Sequence, residues 1–205
     1  MADTPGGLAA FDFDGTISRR DTFLPFLQRL CGAQRVFRAL ARSAGASRLD
    51  RNAFKDGVLV HLLEGRVLAE VEEAGAEYAR FLEHDGRLRP EALARIAEHK
   101  ALGHGVVVVS ASPEGYLGPL GERLGADAVL ATRLEVAEDG RLTGRMLGLN
   151  CRGPEKVARL DGWLATSGQV PGHLWAYGDS SGDRELLARA DVGVKVRSRA
   201  PFPPL

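Results

Sequence analysis

Residues 8–16 read LAAFDFDGT. Four apolar residues run into two aspartates one residue apart, Asp12 and Asp14, and then into Gly15 and Thr16. The apolar part has the texture of a short buried strand. Two carboxylates at the end of such a strand repel each other and lose hydration, a cost that ordinary turn residues avoid. The pair therefore points to a site that neutralises it, and the rest of the chain is read for its partners.

Downstream, Val106–Ser110 is an uninterrupted β-branched run, as expected of a strand covered on both faces. HLWAYGD (173–179) and VGVKV (192–196) read as further strands. Helical patterns separate them. ASPEGYLGPLGERLG opens with Ser112 as N-cap, Pro113 at the first position and Glu114 in the first turn. CRGPEKVARLDGWLA starts a helix at Pro154, and SGDRELLARA supplies another. AVLATRLEV and RLTGRML flank Asp139–Gly140, which predicts a hairpin. Strand alternating with helix predicts parallel βαβ units.

The segment from about Arg20 to Lys100 differs. It is rich in Ala, Leu, Arg and Glu, with apolar residues at helical spacing and no strand pattern between Gly15 and Gly105. One stripe carries Leu68, Val71, Ala74 or Gly75, Tyr78 and Leu82. Another helix starts at Pro90 and ends near Gly103. The expected fold class is α/β: a three-layer Rossmann-like parallel-sheet core from residues 1–17 and 91–205, with a helical insertion over 18–90. MADTPGG reads as a lead-in and RSRAPFPPL as a Pro-rich tail.

The chain has 205 residues, enough for one well-buried core. Its 27 basic and 27 acidic side chains balance, so no global charge draws it to nucleic acid. Cys31 and Cys151 are its two cysteines, which fits a reducing compartment. No secretory leader or long apolar span is evident, so a cytoplasmic location is expected.

Chemistry gathers where the apolar runs stop. The first ends in Asp12 and Asp14, the second in Ser110, Ala111 and Ser112, and a third in Asp179, with Asp183 four residues on. Lys156 stands in the first turn of the helix opened by Pro154. In a parallel sheet these ends meet at one rim. Converging carboxylates need a cation, and without a His or Cys cluster a hard ion such as Mg²⁺ fits best. Ser110, Lys156 and helix N-termini suit an anion. Metal, anion pocket and a spare carboxylate nucleophile together indicate phosphoryl transfer. Asp183 also fits as a helix cap. The carboxylate next to Asp14 is expected to raise its pKa, so that it arrives protonated as an acid.

DFDGT, VVVVS, the lysine of GPEK and GDSSGD, in that order, resemble the four-motif signature of the haloacid dehalogenase-like (HAD) superfamily. The insertion resembles the helical cap (C1 type) of its IB, phosphoserine phosphatase-like branch. The resemblance implies a Mg²⁺-dependent phosphatase. Asp12 would be the nucleophile that forms an aspartyl-phosphate, and Asp14 the general acid and then base. Asp12, the Asp14 backbone carbonyl and Asp179 would hold Mg²⁺, supported by Asp183. Ser110 and Lys156 would grip the phosphoryl group, with backbone N–H groups near Phe13 and Ala111.

Asp21 lies where that branch carries a substrate-contacting glutamate; it fits equally as a cap for the helix that follows. Ala111 and Ser112 replace glycines usual in phosphoserine phosphatases, Gly182 replaces an asparagine, and no cap arginine stands ready for a substrate carboxylate. The chain thus resembles the broader IB-type hydrolases. Arg35, Arg38 and Arg42 share one side of a helix within RVFRALARSAGASRLDR; a solvated face is the ordinary reading, contact with anionic lipid the other. The expected function is a Mg²⁺-dependent phosphomonoester phosphatase acting on a small phosphorylated metabolite. The alternatives are a phosphotransferase with the same intermediate, a lipid-phosphate phosphatase and a non-catalytic phosphate-binding module.

Overall fold

The computed structural model describes residues 6–44, 51–197 and 202–205. The first five residues of the expected lead-in, the end of the basic segment beyond residue 44 and residues 198–201 of the Pro-rich tail lie outside the described residues.

Strand β1 (Gly7–Phe11) sits at the centre of a five-stranded parallel sheet. Its neighbours are β2 (Gly105–Pro113) on one side and β6 (His173–Gly178) on the other. β3 (Ala128–Thr132) and β7 (Val192–Lys195) form the edges, giving the order β3-β2-β1-β6-β7. The direction of winding reverses between β1 and β6, and a crevice opens at such a switch point.

Alternation along the strands divides the core. Ala9, Phe11, Val106 and Val108 point to one face, packing with Ile96 of α5 (Pro90–Ala101) and Leu117 and Leu120 of α6 (Glu114–Leu124). Leu8, Ala10, Val107 and Val109 point to the other, toward Leu160 of α7 (Pro154–Ser167) and Leu186 of α8 (Arg184–Arg189). This is the three-layer α/β architecture expected from the alternation of strands and helices.

The insertion contains α1 (Phe23–Cys31), α2 (Ala33–Ala44), α3 (Arg51–Leu63) and α4 (Leu68–His84). The chain enters and leaves it side by side: Arg19 N–H donates to Arg87 O (2.9 Å) and Arg89 N–H to Ile17 O (2.8 Å). Gly75, rather than Ala74, lies on the buried stripe of α4, because a Cβ there would come 2.2 Å from Gly115 O of α6. Arg35, Arg38 and Arg42 face outward on α2. Among the described residues no helix is long and apolar enough to cross a membrane.

Several boundaries differ from the expectation. The first strand stops at Phe11, and residues 13–17 form a tight turn with Gly15 at φ +83°. AVLATRLEV is two strands: β3 joins the main sheet, while β4 (Leu134–Val136) pairs antiparallel with β5 (Leu142–Met146). That hairpin leans on the insertion, with Gly65 N–H donating to Leu142 O (2.9 Å) and Leu142 N–H to Arg66 O (2.8 Å). The insertion also makes isolated β-bridges, Ser18 with Leu88 and Val67 with Arg141, where sequence pattern shows no strand.

Candidate active site

Asp12 follows the last residue of β1, its N–H bonded to Tyr177 O of β6 at 2.8 Å. The parallel register therefore carries the residue to the switch point. The residue is 6% exposed. Lys156, in the first turn of α7, reaches in and donates to Asp12 Oδ1 at 2.5 Å and to Asp183 Oδ1 at 2.7 Å. Asp183 is also held at Oδ2 by the Ser180 N–H (2.9 Å) and hydroxyl (2.8 Å).

Burial pushes the Asp12 carboxyl up to about 7; Lys156 pulls it down and Asp183 pushes it further up. For Asp183 burial also pushes up, but Lys156 and Ser180 outweigh it and leave the pKa below the ordinary value. Burial pulls the Lys156 ammonium down, and the two aspartates overcome that and raise it. Asp183 is thus the fixed counter-ion of the lysine.

Oxygen atoms of Asp12, Asp179 and Asp183 lie within 4.8 Å of one another. Asp179 Oδ1 is buried without a hydrogen-bond partner, and burial and Asp183 raise its pKa. Gly15 makes this proximity compatible with the first turn, since a Cβ there would sit 2.3 Å from Asp179 Oδ2. An oxygen-only cluster with one unsatisfied buried oxygen suits a hard divalent cation, and these residues fit Mg²⁺.

Asp14 faces a different set of partners. Its Oδ1 accepts from the Thr22 N–H (2.7 Å) and hydroxyl (2.6 Å), and its Oδ2 from the Ser112 hydroxyl (2.5 Å). Thr22 in turn meets the Tyr116 hydroxyl at 2.9 Å. The Asp14 pKa is raised to about 6, first by burial; Ser112 and Thr22 oppose it and Asp21 adds to it. The repulsion expected between the two neighbouring carboxylates shows on Asp12, which Asp14 pushes up, whereas Asp14 itself is raised first by burial; the turn sends the two side chains to different hydrogen-bond partners.

The capping role expected of Ser112 is also corrected. β2 runs on to Pro113, which takes the N-cap position, and the Ser112 hydroxyl is turned to Asp14. Ser110 is 1% exposed and its Oγ accepts from Ser112 N–H at 3.1 Å. Phe13 is buried in the core, and its carbonyl accepts from Ser18 N–H at 2.9 Å. Asp21 both caps and faces the cavity: its Oδ2 accepts from Leu24 N–H (3.2 Å).

All the carboxylates expected at the site, with Ser110, Ala111 and Lys156, line one cavity of about 450 Å³. Sequence reasoning missed further residues here besides Ser112, among them Thr22, Lys55 and Asn150. Thr22 belongs to the first residues of the insertion. Lys55 of α3 reaches across to donate to Ala111 O and, at 3.0 Å, to Asn150 Oδ1. The expectation that the insertion brings no arginine to the site is corrected: Arg19 and Arg20, at its start, line the cavity with Lys55. Lys55 lies four residues before Leu59 on a helix stripe and had no signal beyond its type; Asn150 sits in a loop.

A family model for haloacid dehalogenase-like hydrolases matches residues 9–188. Protein CicA of Caulobacter vibrioides is 37% identical over 188 residues, 90% of this chain and 83% of that protein. A probable phosphatase of Mycobacterium tuberculosis is 32% identical over 206 aligned positions, 90% of this chain and 69% of that protein. A substrate-bound phosphoserine phosphatase structure superposes with a TM-score of 0.65 at 23% identity, covering 94% of this chain and 86% of the other. The chain belongs to the haloacid dehalogenase-like hydrolase family.

Proposed function

We propose that the protein is a Mg²⁺-dependent phosphomonoester phosphatase working through an aspartyl-phosphate on Asp12, with a small phosphorylated metabolite as substrate. The observation that carries this reading is the division of labour between two carboxylates: Asp12 sits in the lysine and aspartate cluster, while Asp14 is clamped across the same cavity by Thr22 and Ser112.

In this reading an Asp12 oxygen attacks phosphorus and the bond to the leaving oxygen breaks. Asp14 gives its proton to that oxygen, then takes one from the water that attacks the aspartyl-phosphate. Lys156 and Ser110 hold the transferred phosphoryl oxygens, with backbone N–H groups near Phe13 and Ala111. Asp12, the Asp14 carbonyl and Asp179 would hold Mg²⁺, with Asp183 orienting Lys156 and supporting the metal shell. The ion supplies positive charge that lets carboxylates and phosphoryl group coexist. Asp21, which lines the cavity, is proposed to meet the leaving group.

Residues 18–90 are proposed as the cap over a core of 1–17 and 91–205; the paired entry and exit at Ile17–Arg19 and Arg87–Arg89 support that division. The proposed setting is the cytoplasm. Asp12→Asn tests the reading: with Mg²⁺, phosphate release from p-nitrophenyl phosphate should fall by roughly 10³-fold or more. Retained turnover would overturn it.

A further inference from the structure

Away from the active site, two surface features lack a partner within the described residues. The first is a groove of about 530 Å³ where α4, α6 and the β4–β5 hairpin meet. Its apolar lining is Leu68, Val71, Leu134, Val136 and Leu147, and Val136 and Leu147 are 41% and 50% exposed. Its rim is acidic. Glu114 is paired with Arg133 at 3.0 Å, but Glu72 and Glu122 have no ion-pair partner among the described residues. The second feature is the outward face of α2. Val36 and Ala39 are buried beneath that helix, whereas Phe37 is 72% exposed. Arg35, Arg38 and Arg42 are exposed as well, with no carboxylate at ion-pair distance among the described residues. The chain has no acidic residue between Thr22 and Ala44.

An aromatic ring left in water forfeits its burial energy, and unpaired like charges on one helix face repel each other. The groove has the reverse shortage: an apolar lining open to water, and glutamates without cations. Each surface supplies what the other lacks, in shape and in charge. We propose that α2 of one copy docks in this groove of a second copy, with Phe37 against the apolar lining and the arginines on the glutamate rim. The two surfaces differ, so copies either exchange helices in a closed pair or link head to tail, and the same substitutions break either arrangement. A lipid surface suits the arginines but not the rest of the helix. Insertion into lipid takes an apolar stripe, and the other large apolar side chains of α2, Val36 and Leu40, pack into the fold.

Sedimentation velocity of the native protein from about 5 to about 500 µM should show reversible association, with a dissociation constant of roughly 10–100 µM, as suits a small contact. Raising NaCl from about 50 to about 500 mM should weaken it by roughly fivefold or more. Phe37→Asp removes the inserted ring and Leu147→Arg blocks the groove, and each variant should stay monomeric alone. Mixed, they should associate, because one keeps an intact groove and the other an intact α2. Arg38→Glu and Glu122→Arg, both at exposed positions, should each weaken association alone and recover it when mixed, so misfolding of the first pair does not decide the matter. A native protein that stays monomeric across the range, association indifferent to the single variants, or mixtures that associate no better than their components would overturn the inference. Binding of monomeric native protein to vesicles of about one third phosphatidylserine, lost in Phe37→Asp and kept in Leu147→Arg, would also overturn it and assign α2 to a lipid surface.

Discussion

The Ser112 hydroxyl lies 2.5 Å from Asp14 Oδ2, while Thr22 occupies the other oxygen of the same carboxylate. The proposed acid is therefore oriented from two sides, by the end of β2 and by the start of the insertion. Ser112 is 3% exposed and Thr22 is 2% exposed, so water cannot readily substitute for either hydroxyl.

Removing the Ser112 hydroxyl should weaken proton donation more than phosphoryl binding. General acid catalysis matters most when the leaving oxygen is basic. Ser112→Ala should lower kcat for an alkyl phosphate by roughly tenfold or more, with a clearly smaller loss for p-nitrophenyl phosphate. Ser112→Thr should restore much of the difference. Equal losses on both esters would assign Ser112 a packing role only.

Gly75 lets α4 touch the backbone of α6. A Cβ would meet Gly115 O at 2.2 Å, and backbone gives way less easily than a side chain tip. Gly75→Ala is expected to destabilise by about 2 kcal/mol, a typical overpacking cost, offset slightly by better helix propensity. That corresponds to a fall in Tm of roughly 4–8 °C for a chain of this size. An unchanged Tm in differential scanning calorimetry would contradict the packing.

His99 is fully buried, with Nε2 2.8 Å from the Tyr177 hydroxyl and Nδ1 3.0 Å from His104 Nδ1. Burial, then His104 and Arg95, lower its pKa to about 4. An unfolded histidine titrates near 6.5. As pH falls from about 6.5 toward about 4, the unfolded chain takes up a proton that the native protein refuses. The contribution of His99 to stability is thus present above 6.5 and is lost across that window, by about 3 kcal/mol at its lower end. Asp12 and Asp14, raised to about 7 and about 6, act in the opposite sense in native and variant proteins alike. Urea unfolding at several pH values should show that His99→Gln removes the acid loss due to this group. Identical pH slopes for the two proteins would refute it.

The parts readable from sequence are those whose chemistry is local. Val106–Ser110 announces a covered parallel strand because every residue in the run is apolar until Ser110. Asp12, Lys156, Asp179 and Asp183 could be read together because each stands at a strand or helix end, where the topology brings ends to one rim. Ser112 misled because Ser-Pro-Glu is a good local helix start, and only the continuation of β2 to Pro113 turns its hydroxyl to Asp14. Lys55 was unreadable for a related reason. A lysine on a helix ordinarily lies in solvent, and its partners Ala111 and Asn150 are 56 and 95 residues away. The split of AVLATRLEV between two sheets likewise depends on tertiary contacts, since β4 answers to β5 and the insertion.

The proposed chemistry depends on a carboxylate oxygen of Asp12 receiving phosphorus. Rapid acid quench of the native protein during turnover of a phosphomonoester with Mg²⁺, followed by peptide mass spectrometry, tests it most directly. The predicted result is a phosphoryl group on the peptide that carries Asp12, lost on alkaline or hydroxylamine treatment and missing in Asp12→Asn. Phosphate released with no adduct on that peptide at any quench time, or an adduct elsewhere that survives Asp12→Asn, would contradict it.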